Sequence, residues 1–254
     1  MEKNKLIGMF LTMALSVSML AGCAGNSQTT DSNAEENQQE TEQQTEDTAN
    51  DDAAAANQLM IDLTGKYQQL WPVLLADDYK QVWLDDCAKI VGEENAETAA
   101  DQLISSVTSD IYGKDAEGVY TNESFAFYCA FTNDMDTVEF DGENSVIKGY
   151  DKDGNELFSH KYDYVGLEES WGMYEFKSED KDSGEFTYFF IAPDTSASTY
   201  HIEFRYGSDE DALKEYFSGE YGYWMASGIS TECDQTMIEN CIELFCTENL
   251  AEEN

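Results

Sequence analysis

The sequence predicts an α+β domain in which an antiparallel β-barrel is flanked by N-terminal and C-terminal helices. Three observations predict this class: apolar residues recur at helical spacing from residue 79, the spacing changes to strict alternation after Gly113, and helical spacing returns after Ser230. The connections between the alternating segments are short, which favours an antiparallel meander. Six or seven such strands lose their exposed edges when they close into a barrel.

Helices are predicted at both ends of the domain. Apolar side chains recur at helical spacing over 79–91 and 100–111, a short helix is expected over 209–217, and a longer one from Ser230 onward. The last helix carries one apolar stripe, formed by Met237, Ile238, Cys241, Ile242, Phe245 and Cys246. A single stripe of this kind usually packs into a core, so its two cysteines are interpreted as packing residues.

Strands are predicted between these helices. An alternating segment with Phe125, Phe127, Cys129 and Phe131 comes first, and Asp-Gly and Ser-Gly pairs then mark turns. The further strands are predicted over 136–141, 145–150, 156–165, 172–178, 184–191 and 199–206. The acidic stretch 151–156 has its glycine at the fourth position, whereas a calcium-binding EF-hand needs it at the sixth, so a hairpin turn is favoured there.

The N-terminus reads as a lipoprotein export signal. Lys3 and Lys5 precede an uncharged stretch over 6–20 that is short for a membrane span, and the following Leu-Ala-Gly-Cys resembles the bacterial lipobox. The resemblance implies cleavage after residue 22 and lipid on Cys23, which would anchor the chain to the outer face of the bacterial cell membrane. The alternative is an ordinary signal peptide in which Cys23 is incidental.

The composition divides the rest of the chain into a tether and a domain. The segment after Cys23 has no aromatic, Lys or Arg residue up to Ala56, so it cannot bury enough apolar surface to order itself. We therefore predict a signal peptide over 1–22, a lipidated cysteine and disordered acidic tether over 23–57, and one domain over 58–250.

The net charge limits the classes of partner. The chain has 13 basic and 53 acidic residues, which give a formal charge of −40. Phosphates are repelled by such a surface, so nucleic acid is not expected as a partner, while cations and basic molecules are. The alternative interpretation is that the charge only keeps the domain soluble.

The cysteine spacing and the absence of known motifs limit the kinds of metal site and catalysis that the sequence supports. Cys87, Cys129, Cys233, Cys241 and Cys246 match no zinc-ribbon or CxxC spacing, so one or two disulfides with a buried thiol are expected outside the cell, with the pairing open. No GxSxG, GxGxxG, Walker or HExxH motif is present, and the only histidines are His160 and His201. No catalytic residues are predicted, and an enzyme is disfavoured.

The strand around residue 203 is the most informative segment. Alternation places His201, Glu203 and Arg205 on one face and the aromatic and aliphatic residues on the other. An imidazole and a carboxylate two residues apart can share a metal ion, although zinc needs three or four ligands. The alternative is that the three side chains form a hydrogen-bonded polar row.

This strand and other segments resemble the ZinT family of periplasmic zinc-binding proteins, whose domain also forms the C-terminal half of some zinc-uptake lipoproteins. Residues 201–207 resemble the family's HFHIxxG strand with Glu203 in place of its second histidine. Further similar segments are 63–75 (GxW…VYPYL), 162–166 (YKYVG), 171–176 (GVRYxFE), and 211–213 with the region of Trp224 (ALL…WPTYYP). The match spans residues from about 60 to 248 and implies a lipocalin-like barrel with added helices.

The departures from the family concern its metal ligands. The family has a further histidine just before the segment that resembles Phe190 and its successors, and here an aromatic, Phe189, is expected in that place. His160 shares a strand face with aromatic residues and is interpreted as a core histidine. Replacing nitrogen donors by carboxylates should weaken zinc binding or favour harder cations.

Two hypotheses about function follow. In the first, an anchored binding module captures zinc or another divalent cation through His201, Glu203 and a third carboxylate from a nearby loop, and its expected partner is a metal-uptake system. In the second, the domain has lost its metal and acts as a surface interaction protein or holds a small apolar ligand at the barrel mouth.

Overall fold

Within the described residues, eight antiparallel strands close into a barrel in which each strand pairs with the next and the last pairs with the first. The computed structural model describes residues 51–107, 130–218, 222 and 225–251. The strands are β1 (Gly65–Gln69), β2 (Thr137–Asp141), β3 (Val146–Tyr150), β4 (Glu156–Glu168), β5 (Met173–Ser178), β6 (Tyr188–Ile191), β7 (Ile202–Gly207) and β8 (Ala226–Ser230). The predicted class, a helix-flanked antiparallel barrel of the lipocalin-like kind, is confirmed.

Helices precede, interrupt and follow the strands. They are α1 (residues 51–62), α2 (Leu70–Leu74), α3 (Lys80–Val91), α4 (Ala96–Ser106), α5 (Glu210–Tyr216) and α6 (Gln235–Leu250), with 3₁₀ turns at Asp77–Tyr79 and Gly184–Phe186. Asp209 and Asp234 cap α5 and α6 by accepting hydrogen bonds from the backbone N–H groups of Ala212 and Met237. No helix in these described ranges combines the length and apolar character that a membrane span requires.

Helix α1 begins inside the segment that the composition assigned to the tether. Ala56, Leu59, Met60 and Leu63 recur at helical spacing, are buried, and pack against the residues that fill the barrel. The prediction that the tether extends to residue 57 is therefore wrong at its C-terminal end. A run of four alanines, which has high helix propensity but little apolar surface, hid the start of this helix.

Aromatic side chains fill the barrel interior. The rings of Phe189, Phe204 and Tyr206 stack on one another with centroid separations of 5.2–5.8 Å. Other buried residues that contribute to the same core include Tyr67, Val138, Phe140, Ile147, Phe158, Tyr162 and Phe176. These side chains form one continuous core in the part of the barrel that the structure describes.

A second core lies between the outer wall of the barrel and the helices. Met173, Phe190 and Ile229 point outward from β5, β6 and β8 and pack with the buried faces of α2, α3, α4 and α6. Phe245 of α6 makes edge contacts with Trp71 and Trp83, at ring centroid separations of 4.9 and 5.8 Å. This layer places α6 over the wall that carries the candidate site.

The predicted elements differ from the structure in several places. Strands β1 and β8 and helices α1 and α2 were not predicted. The segment over 184–191 begins as a 3₁₀ turn, the strand over 199–206 begins at Ile202, and the last helix begins at Gln235. Propensity did not reveal β1 and β8 because each is only five residues long and is defined by its neighbours. Residues 108–129, which hold part of the predicted second helix and the Phe125–Phe127–Cys129 strand, and Trp224 lie outside the described residues.

The acidic stretch at residue 151 is a hairpin turn, as predicted. The Asp151 carboxylate accepts hydrogen bonds from the backbone N–H groups of Asp153 and Asn155 and from the Asn155 side chain, at 2.8–2.9 Å. These bonds occupy both carboxylate oxygens in closing the turn between β3 and β4.

Candidate metal site

The candidate site is built by the connection between β6 and β7. The chain leaves β6 through Ala192, whose N–H donates to the carbonyl of Glu203 at 2.9 Å, and then passes Pro193 and Asp194. It turns back over residues 195–199 and enters β7 at Ile202. This register brings Asp194 beside the start of β7.

Three side chains converge there. Ligand atoms of Asp194, His201 and Glu203 all lie within 4.8 Å of one another, and Nε2 of His201 is 3.5 Å from Oε1 of Glu203. The side chains of His201 and Glu203 are 13% and 18% exposed, and Asp194 is 6% exposed. The predicted third carboxylate from a nearby loop is therefore Asp194.

The backbone before β7 fixes the orientation of the imidazole. Tyr200 adopts a left-handed conformation with φ of 67°, which a non-glycine residue seldom adopts. Nδ1 of His201 consequently reaches back and donates to the carbonyl of Thr199 at 2.7 Å. In neutral histidine this bond leaves the Nε2 lone pair facing Glu203, and a carbonyl that holds the second nitrogen is the usual support of a metal-ligating histidine.

Asp194 is a buried carboxylate with one oxygen left unsatisfied by the described residues. Its Oδ2 is buried and makes no hydrogen bond with any described residue. Burial, followed by the negative charge of Glu203, raises the pKa of Asp194 to about 6, although His201 acts in the opposite direction. A buried carboxylate that is ionised without a partner is costly, and a bound cation would remove that cost.

Two groups from α6 border the three side chains. Cys241 Sγ lies 3.8 Å from Nδ1 of His201. Burial alone would lower the pKa of His201, but its contacts with Cys241 and Glu203 outweigh burial and raise that pKa well above the ordinary value. Burial and the charge of Glu203 also raise the pKa of Glu248, which places a third carboxylate in the electrostatic reach of the site.

The site lies on the outer wall of the barrel, under α6. Ile202 and Phe204 of β7 point into the barrel core, so His201 and Glu203 point outward. The candidate site therefore lies between the outer wall of the barrel and the helical layer. The alternative of a small apolar ligand at the barrel mouth concerns another part of the barrel and stays a prediction.

Other residues named from the sequence lie elsewhere. Arg205 is fully buried, donates to the carbonyl of Gly222 at 3.0 Å and stacks 4.1 Å over the Phe217 ring. Phe189 points into the barrel, on the opposite face from the site. Ala192, the residue after β6, lies beside Glu203, and Asp194 follows it by two residues.

His160 does not belong to the site. It lies on β4, where its ring stacks against Phe158 and its Nδ1 is 3.0 Å from Oδ2 of Asp180. The prediction that it packs with core aromatics is confirmed. Only the tertiary structure could identify Asp194, because no local pattern marks a loop carboxylate as facing a strand seven residues later.

The fold and site together define a helix-flanked β-barrel with a candidate cation site on its outer wall. The chain is similar in structure to the Zn(II)-bound ZinT-like domain of Streptococcus pneumoniae AdcA, at 16% identity and a TM-score of 0.45, over 71% of this chain and 88% of that one. It is also similar to Zn(II)-bound AdcA of the same organism, at 14% identity and a TM-score of 0.40, over 75% of this chain and 35% of that longer one. No protein-family model and no curated protein sequence matches the chain.

Proposed function

We propose that this domain captures a divalent metal cation through Asp194, His201 and Glu203. Two observations carry the proposal: ligand atoms of these three side chains lie within 4.8 Å of one another, and Oδ2 of Asp194 is buried with no hydrogen-bond partner among the described residues. A polar atom in this situation normally has a partner, and a cation supplies one that satisfies all three side chains together.

The donor set favours a cation harder than zinc. Two carboxylates and one imidazole supply more oxygen than nitrogen, and Glu248 is near enough to interact electrostatically with His201 and Glu203. Oxygen-rich sites suit manganese and similar cations better than a site of several imidazoles does. We therefore expect manganese to compete with zinc more successfully here than at a histidine-rich site.

We also propose where the domain binds its cation. With lipid on Cys23, the domain would bind its cation outside the cell membrane and present it to a metal-uptake system. The acidic composition supports this role, because a negative surface raises the local concentration of cations.

Calorimetric titration of the metal-stripped full chain with manganese, zinc and calcium tests the proposal. We expect one tight binding phase above the weak, salt-sensitive binding of the acidic surface. Asp194→Asn and His201→Ala should each weaken that phase by roughly 10–100-fold.

His160→Ala and Asp180→Asn are the matched controls, because they remove another imidazole and carboxylate pair of similar separation outside the site. Both should leave the tight phase unchanged. If no cation gives a tight phase, or if the control variants lose as much affinity as the site variants, the proposal is wrong.

A further inference from the structure

Two thiols of the helical layer lie against each other. Cys87 of α3 and Cys246 of α6 are both fully buried, and their sulfur atoms are 3.8 Å apart although 159 positions separate the residues in the sequence. Neither takes part in the candidate metal site, and the structure describes both as free thiols.

The helices that carry these thiols are held in place by other contacts. Rings of Trp83 and Phe245 meet edge to face at 5.8 Å, and Nζ of Lys89 lies 3.7 Å from a carboxylate oxygen of Glu243. The two sulfurs would have to approach by about 1.8 Å to reach disulfide bonding distance. Rotation of the two side chains can supply a movement of this size while the backbones stay where these contacts hold them.

We infer that Cys87 and Cys246 form a disulfide that joins α3 to α6 when the chain folds in the presence of a disulfide oxidant. The oxidant is a small-molecule disulfide or a disulfide-carrying oxidoreductase. One cysteine thiolate attacks it to form a mixed disulfide and release one thiol. The second cysteine thiolate then attacks the protein sulfur of that mixed disulfide and releases the other thiol. Two electrons and two protons pass from the cysteines to the oxidant.

The surroundings of the thiols indicate when the bond forms. Burial raises the pKa of the Cys87 thiol and that of the Cys246 thiol, so few thiolates exist in the folded chain. Oxidation therefore takes place as the chain folds, before the layer closes over the sulfurs. The same burial then protects the finished bond from reductants.

The bond would stabilise the helix that borders the site. Helix α6 also carries Cys241, next to His201, and Glu248. A disulfide that closes so long a loop restricts the unfolded chain strongly and should raise the melting temperature. The inference does not rest on cation binding, and its failure would leave the proposed function standing.

Peptide mapping of the full chain tests the inference directly. The chain is refolded from denaturant with reduced and oxidised glutathione, its remaining thiols are blocked with N-ethylmaleimide, and its digest is measured by mass spectrometry. We expect one linked peptide pair that contains Cys87 and Cys246. The Tm of this oxidised chain should exceed that of the dithiothreitol-treated chain by about 5–10 °C.

Cys233→Ser is the matched control, because Cys233 is a half-buried thiol outside the pair, and it should keep both the linked peptides and the Tm difference. Cys87→Ser should lose both. Maleimide on both sulfurs of the refolded chain, or a link from Cys246 to another cysteine, would overturn the inference. An oxidised chain with the same Tm as the reduced chain would overturn the inference as well. The peptide map of the unsubstituted chain tests the disulfide even if Cys87→Ser does not fold.

Discussion

The Asp194 carboxyl group resists ionisation, because it is buried and lies near the negative charge of Glu203. An acid whose pKa is raised by folding adds stability below its unfolded pKa and loses that contribution as pH rises through its folded value. His201, whose pKa is raised too, contributes stability that is present below its unfolded pKa and is lost at higher pH. Both residues therefore make the metal-free chain less stable as pH increases.

Replacing the buried charge should stabilise the metal-free chain. We expect Asp194→Asn to raise the free energy of unfolding at pH 7.5 by about 1–2 kcal/mol, because the neutral amide removes a buried charge whose Oδ2 has no hydrogen-bond partner among the described residues. Urea unfolding of both metal-free chains measures the difference. The exposed Asp163→Asn should change little, and a less stable Asp194→Asn chain would show that the carboxylate has a structural role instead.

Protons and the cation should compete at this site. Because the pKa of Asp194 is about 6, its carboxylate takes up a proton as pH falls below neutrality, and the raised pKa of His201 means that its imidazole must release a proton before it can bind a cation. Affinity for manganese, measured by titration at a series of pH values, should therefore fall by at least about tenfold between pH 7.5 and pH 5.5. An affinity that is independent of pH over this range would remove both residues from the site.

At the scale of elements, the β6–β7 connection forms the site and helix α1 closes the barrel core. The β2–β3 turn approaches α1 so closely that a Cβ atom at Gly142 would lie 2.0 Å from the carbonyl oxygen of Met60. Both atoms in this contact are fixed to the backbone, so the clash cannot be relieved by rotating a side chain.

Gly142→Ala should therefore destabilise the chain by roughly 2–4 kcal/mol, because the turn and α1 must separate. Thermal unfolding of the full chain measures the loss. Gly166→Ala is the matched control, since beyond its chain neighbours the nearest atom to the added Cβ would be Oε2 of Glu175, at 4.0 Å. Equal effects of the two substitutions would mean that α1 does not pack against this turn.

At the scale of the whole molecule, lipid on Cys23 is the proposed anchor of the domain. Substituting Cys23→Ser should abolish incorporation of labelled palmitate and release the protein from the membrane fraction, because the acylated sulfur is the proposed anchor. Cys233→Ser should keep label and anchoring. A labelled Cys23→Ser chain would show that the lipid is attached elsewhere.

The sequence by itself determined the fold class, most of the strands and the shared face of two candidate site residues, one just before β7 and one within it. These features depend on local periodicity, and a period of two assigns His201 and Glu203 to one face without knowledge of any partner. Local periodicity did not predict the short strands β1 and β8 or the start of α1, because the apolar pattern of each is weak.

Only the tertiary structure decided whether the face with His201 and Glu203 points into or out of the barrel, and which other residues contact it. Register between β6 and β7 places Asp194 beside His201, and the packing of α6 over the wall adds Glu248 and pairs Cys246 with Cys87. Such contacts join residues that are distant in the chain. Their geometry follows from closing the barrel and packing helices on it, which no short stretch of sequence encodes.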